Sequence, residues 1–193
     1  MPALSSIRTM LRPILRPVRA RSGGIGTLRR KGTYLRYGID GIARDLRTSV
    51  YDQATILREY GATVGDRVMF PGPITVVNAA RDFSNLSIGN DCHIGAETLF
   101  DLAERISIED FATLSMRTTL ITHIDAGPGP LSVRRPRKTG PVRIGRGAYL
   151  GAGATVLHGV SVGAEATVGA HALVDRDIPA GTTVISPRAQ PLG

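Results

Sequence analysis

At 193 residues, 42% hydrophobic and 21% charged, with 23 Gly, 12 Pro, one Cys and no Trp, the chain has the make-up of one globular domain. No stretch approaches the ~20 consecutive apolar residues of a membrane-spanning helix. A single Cys closes no internal disulfide, which excludes a disulfide-stapled scaffold and makes a reducing compartment, the cytoplasm, the expectation. The net charge of +8 arises in residues 1–60, which hold 12 Lys and Arg against 4 Asp and Glu, whereas residues 61–193 hold 12 of each. With a neutral body and no nucleic-acid-binding motif, the high pI does not read as a nucleic-acid footprint.

The chain divides into a basic segment, 1–60, and a body, 61–193. In the first, Leu4, Ile7, Leu11, Ile14 and Val18 recur at three and four, with Arg8, Arg12, Arg16 and Arg19 between them. This is the pattern of a basic amphipathic helix, which Pro13 and Pro17 break into short pieces. A peripheral membrane contact, a transit peptide and a segment packed on the body all fit it. Residues 40–60 are expected to form a helix over the end of the body.

The body repeats with a period of six. Bulky apolar residues stand at Val64, Phe70, Val76, Ile88, Ile94 and Phe100, with Asp82 breaking the row. After a slip of two they resume at Ile108, Leu114 and Leu120, and after a gap at Ile144, Leu150, Val156, Val162, Val168 and Val174. Four residues beyond most of these positions comes a small or aliphatic side chain, such as Cys92, Ala112, Ala148, Ala154 or Ala166, and Gly often follows directly, as at 65, 89, 95, 145, 151, 163 and 169. Six is neither a helical period nor a simple strand alternation. A unit of one short strand and one corner closes into a triangle after three repeats, so the body is expected to be a parallel β-helix of about six coils, stacked at about the 4.8 Å strand spacing. The large residue fills the axis, and the small one leaves it room.

One long stretch, 123–141, leaves the repeat and is rich in Gly, Pro and Arg. Loops mounted on a rigid scaffold commonly carry function, and His123 stands where this one begins. An imidazole titrates near neutrality and suits general-base proton abstraction. His93, His158 and His171 read as solvated or interface residues. With no close pair among the four histidines, a zinc site is not expected. Cys92 occupies a small-residue interior position and reads as an inert buried thiol.

The run Ile144 to Pro179, with its repeated Gly-Ala corners and its Asp177-Ile-Pro exit, resembles the hexapeptide-repeat acyltransferases, closest to the sugar and xenobiotic O-acetyltransferase branch. The resemblance covers residues 62–193. It implies a left-handed β-helix, a homotrimer, and acetyl-CoA lying in a groove between subunits as the acyl donor to a hydroxylated small molecule. It also implies His123 as general base, followed by an acidic residue, Asp125, able to orient it. Tyr149 falls where relatives place an aromatic beside the pantetheine arm, Ala152 and Ala170 on corners lining the cofactor groove, and Arg176 where a basic residue meets the CoA phosphates. Asp101 resembles an acceptor-contacting position. At the C-terminus Gln190 stands where relatives carry a basic residue, and Arg188 is the candidate substitute. Arg134, Arg135, Arg137 and Lys138 form a basic patch in the excursion with no assigned role. N-acylation of an amino sugar nucleotide, and a non-catalytic β-helix scaffold, are the competing readings.

Overall fold

The computed structural model describes residues 24–49 and 51–187. The amphipathic pattern of residues 4–18, Arg188 and Gln190 lie outside the described residues. From Thr63 onward the chain winds as a parallel β-helix whose three faces are each a five-stranded parallel sheet. On the first face Val64, Ile88, Ile108, Ile144 and Val162 stack in register, with Ile178 bridged below Val162. The second face stacks Ile94, Leu114, Leu150, Val168 and Val184, and the third stacks Val76, Phe100, Leu120, Val156 and Val174. The six-residue rows of the sequence are these columns.

Nearly all column residues are buried, as are Cys92, Ala112, Ala148, Ala154 and Ala166 between them. Burying a large aliphatic side chain is worth about 1.5–3 kcal/mol, and every coil adds three such residues to one continuous core. Their neighbours along each strand point outward and are often Thr or Ser, which suit an exposed pleated surface: Thr63, Ser87, Ser107 and Ser161 on the first face, Thr75, Thr119 and Thr155 on the third. The glycines after the columns have a more specific cause than a corner. A Cβ at Gly65 would lie 2.6 Å from the carbonyl carbon of Gly89, and one at Gly145 would lie 2.5 Å from the amide nitrogen of Ala164. The next coil's backbone occupies the space.

The end of the prism is covered by two helices where the sequence led us to expect one over 40–60. Helix α1 runs Gly24–Thr48 with a break at Gly38 (φ 61°), and α2 runs Gln53–Glu59, preceded by Asp52 at φ 74°. Ile39, Ile42, Ala43 and Leu46 of α1, with Ile56 and Leu57 of α2, join the core. The amide of Ile74 donates to the Leu46 carbonyl at 3.3 Å. Buried Gln53 donates from Nε2 to the carbonyls of Ser49 and Gly72 at 2.9 and 2.8 Å, tying the helices to the first coil. The half of α1 before Gly38 exposes Leu28, Leu35 and Tyr37. Among the described residues no helix is long and apolar enough to cross a membrane.

The hexad beat holds at two corners and fails at the third. Between successive first-face positions, 24 residues separate Val64 from Ile88, 20 separate Ile88 from Ile108, 36 separate Ile108 from Ile144, 18 separate Ile144 from Val162 and 16 separate Val162 from Ile178. Each departure from 18 falls where the third face turns back to the first. The first insertion explains Asp82: Phe83 is the buried residue there, while Asp82 Oδ1 accepts the Ser84 amide at 2.9 Å. Ala80, four residues after Val76 in the six-residue count, is exposed in the same insertion rather than interior.

Candidate active site

The irregular corner collects polar residues from successive coils: Asn78 after Val76, Asp101 after Phe100, Thr122 and His123 after Leu120, and His158 after Val156. Phe100 pairs with Leu120, so Asp101 lies one coil from the start of the excursion although it precedes His123 by 22 positions in sequence. His123 Nδ1 is 2.5 Å from Asp101 Oδ2. The carboxylate is buried, its side chain 3% exposed, while the imidazole keeps 23% of its surface in solvent.

Around that carboxylate every neighbour donates. Oδ2 accepts the amides of Thr122 and His123 at 2.9 and 3.2 Å, and Oδ1 accepts Asn78 Nδ2 at 2.8 Å. Burial pushes the Asp101 carboxyl up, but the hydrogen bonds from Asn78, His123 and Thr122 outweigh it and hold it below the usual carboxylate range. An ionised carboxylate offers no proton, so the imidazole nitrogen facing it carries the hydrogen. Nε2 then holds the lone pair and is the nitrogen able to take a proton from a bound molecule.

The expected partner of His123 is therefore corrected. Asp125 does not meet the imidazole: Oδ1 accepts the Gly127 amide at 2.7 Å and Oδ2 lies 3.9 Å from Arg137 Nε. The strand His123–Ile124 pairs antiparallel with Lys138–Thr139, and two residues beyond His123 the chain has already left the corner. Asp101, read as an acceptor contact, is the carboxylate that meets the imidazole. With its carboxylate enclosed by protein donors, it has little surface left for a substrate.

The residues read as donor-binding are dispersed. Tyr149 stands outward on the second face, 44% exposed, its hydroxyl 3.1 Å from Ser115 Oγ. Ala152 and Ala170 lie one above the other on the corner between the second and third faces, where the His171 amide donates to the Ala152 carbonyl at 2.9 Å and Ser186 Oγ donates to the Ala170 carbonyl at 2.8 Å. Arg176 is on the irregular corner and pairs with Asp175 at 3.0 Å, a contact that raises the guanidinium and lowers the carboxyl. A cleft of about 370 Å³ beside these last coils is lined by His171, Arg176, Ile185 and Ser186. Of the other histidines, His93 is half-buried and outward-facing, His171 is exposed at φ 56°, and His158 lines a separate cleft under the excursion. Cys92 is buried, and burial pushes its thiol up. Among the described residues no cluster of His, Cys, Asp or Glu could hold a metal ion.

The sequence reading missed Asn78 and the contact between Asp101 and the His123 ring. Both were hidden by the breaks in the repeat, because an alignment on strict hexads does not stack them under His123. The signal that finds them is the set of irregular spacings itself, all of which belong to one corner.

Comparison with known proteins agrees with this architecture. Residues 141–176 match the bacterial transferase hexapeptide (six repeats) family model. A 2,3,4,5-tetrahydropyridine-2,6-dicarboxylate N-acetyltransferase of Staphylococcus aureus is 44% identical over 62 residues, 32% of this chain and 26% of that enzyme, so the chain spans about a quarter of that relative's length. A hexapeptide-repeat-containing acetyltransferase of Vibrio cholerae superposes with a TM-score of 0.67 at 19% identity, covering 90% of this chain and 93% of that one, and has also been solved with acetyl-CoA. A maltose O-acetyltransferase of Clostridium difficile superposes at 0.63 with 21% identity, over 76% of this chain and 79% of that one. Residues 141–176 thus match the bacterial transferase hexapeptide repeat, and the fold of the described residues is that of these solved hexapeptide-repeat acetyltransferase structures.

Proposed function

We propose that the protein is a CoA-dependent acyltransferase that moves an acetyl group from acetyl-CoA to a hydroxyl of a sugar or another small hydroxylated molecule. The observation that carries the reading is the buried Asp101 carboxylate held 2.5 Å from His123 Nδ1. A scaffold that had lost catalysis would have no need to keep an ionised carboxylate buried against an accessible imidazole.

In this mechanism His123 Nε2 accepts the proton of the acceptor hydroxyl as its oxygen attacks the thioester carbonyl, and backbone amides hold the developing oxyanion. Asp101 fixes the tautomer and stabilises the imidazolium that forms. The collapsing intermediate expels the CoA thiolate, which takes up the proton. Tyr149, Ala152, Ala170, Arg176 and Arg188 would face the donor. His123 and the pair Ala152 and Ala170 occupy different corners of the prism, so one chain does not bring them together. A homotrimer, in which one subunit's excursion meets its neighbour's second-to-third corner, would do so.

N-acylation is the second reading, favoured by the 44% identity over 62 residues to an N-acetyltransferase. Both readings are tested by incubating the protein with acetyl-CoA and a panel of sugars and amino sugars and following free CoA. Wild type is expected to turn over, and His123→Ala to lose about 10²–10⁴ of kcat. Equal activity in the two proteins overturns the base assignment, and no turnover by wild type overturns the reading.

A further inference from the structure

The excursion has two sides, and the chemistry above uses one. In the ribbon formed by His123–Ile124 and Lys138–Thr139, Thr139 lies opposite His123 and Lys138 opposite Ile124. Successive residues of a strand point to opposite faces. The His123 ring turns toward Asp101 on the preceding coil, whereas Ile124 and Lys138 line a cleft of about 670 Å³ that His158, on the following coil, also lines.

The lining of that cleft is strongly cationic. Arg134 and Arg135, at the end of the short helix α3 (Leu131–Arg134), join Lys138, and none of the three has a carboxylate partner among the described residues. The one acid lining the cleft among the described residues, Asp125, faces Arg137 at 3.9 Å, so the pair cancels and leaves the other three charges. Gathering three like charges around one concavity is unfavourable without a counter-anion, and a cationic cleft focuses the field that draws one in. Ile124 and Leu131, 48% and 45% exposed, add an apolar wall. The volume exceeds that of a lone phosphate and suits a phosphate with an organic body attached.

We infer that this cleft is a phosphoryl-binding subsite, in which Arg134, Arg135 and Lys138 hold a phosphate or diphosphate on the side of the ribbon opposite the imidazole. Two sources share that chemistry: the diphosphate of the acyl donor and a phosphorylated acceptor. Its use in turnover rests on the acyltransferase reading, but the binding itself does not.

The test is titration of the full-length protein with inorganic pyrophosphate by calorimetry. Wild type and His123→Ala are expected to bind alike. Arg134→Ser/Arg135→Ser/Lys138→Ser should bind at least about tenfold more weakly, and Lys138→Glu alone should weaken binding in the same direction. Undiminished binding by both excursion variants overturns the subsite, as does a wild type that binds no pyrophosphate. A protein that binds pyrophosphate in this way yet releases no CoA keeps the subsite and loses the acyltransferase reading. Steady-state kinetics then separate the sources. If the donor supplies the phosphate, the triple variant raises KM for acetyl-CoA about tenfold. If the acceptor does, wild type prefers sugar phosphates over free sugars and the variant loses that preference.

Discussion

Asp101 Oδ2 and His123 Nδ1 sit 2.5 Å apart across one coil of the β-helix, and the carboxylate is the more deeply buried of the two. Replacing Asp101 by Asn keeps the shape, and the backbone amides of Thr122 and His123 hold the Asn carbonyl oxygen at the Oδ2 position facing Nδ1, but the negative charge that stabilises the imidazolium is lost. The base is then weakened without being removed. Asp101→Asn is expected to lower kcat by about 10²-fold or more with a smaller change in KM for acetyl-CoA, measured by CoA release. A variant with wild-type kcat would separate the carboxylate from the chemistry.

The same carboxylate makes stability depend on pH. Burial raises its pKa, but the donors Asn78, His123 and Thr122 lower it more, so its folded value lies below the ordinary one of ~3.9. The stabilisation is fully present above that ordinary value and is lost as pH falls through the lower folded value. Thermal unfolding midpoints measured from pH 7 to pH 3 should therefore fall less steeply below about pH 4 in Asp101→Asn than in wild type. Asp82, Asp91 and Asp175 are also held low, so part of the acid limb remains in the variant. Parallel curves for the two proteins would contradict the assignment.

The β-helix was legible in the sequence because its core is one-dimensional. Each interior layer needs one large aliphatic residue per face, and the six-residue rows record that need directly in Ile94, Leu114, Leu150 and Val168. His123 was singled out for the complementary reason, as the point where the rows stop. Asp125 was misread because adjacency in sequence stood in for adjacency in space, whereas in a coil the near neighbour comes from one turn away. Asp101 and Asn78 are such neighbours, and insertions of unequal length before and after them shift both off the hexad count. The two-helix cap was partly legible: Ile39, Ile42 and Leu46 keep a helical spacing, but nothing in the composition marked the stop before Asp52.

Asn78 acts on the imidazole only through Asp101, and its contribution can be separated from packing. It is an exposed residue at φ 57° whose Nδ2 donates to Asp101 Oδ1 at 2.8 Å. Asn78→Gly keeps the backbone conformation at low cost and removes the donor. The expected result is a kcat loss of about 3- to 10-fold, roughly one charge-assisted hydrogen bond, with an unfolding midpoint at pH 7 lowered by the stabilisation this bond gave the Asp101 carboxylate. The acid limb should also move to higher pH, because Asp101 loses a donor that holds it down. A loss of stability at pH 7 with no movement of that limb would mark Asn78 as merely structural.

The glycines that follow the columns give a test of the coil spacing that is independent of the site. At Gly145 a Cβ would approach the Ala164 amide nitrogen to 2.5 Å and the Gly163 carbonyl carbon to 2.7 Å, both backbone atoms of the next coil that cannot swing aside. Gly145→Ala is expected to destabilise by about 1–3 kcal/mol through overpacking. Gly129, where an added Cβ meets nothing within 4 Å, should tolerate the same change within about 0.5 kcal/mol. Denaturant midpoints compare the two directly, and equal effects would refute the backbone clash.

Cys92 offers a final check on the division between core and site. Its side chain is buried between Ile88 and Ile94, its thiol lies 3.2 Å from the Glu109 carbonyl, and burial holds its pKa above the ordinary value. Since the thiolate is the reactive form, native protein at neutral pH should take up iodoacetamide at Cys92 far more slowly than unfolded protein does. The acyl transfer proposed for His123 passes through no enzyme thioester, so Cys92→Ala should retain kcat within about 2-fold while losing up to about 1 kcal/mol of stability to the smaller side chain. A Cys92→Ala protein that folds but has lost turnover would instead point to a covalent acyl intermediate, and the direct attack on the thioester would have to be abandoned.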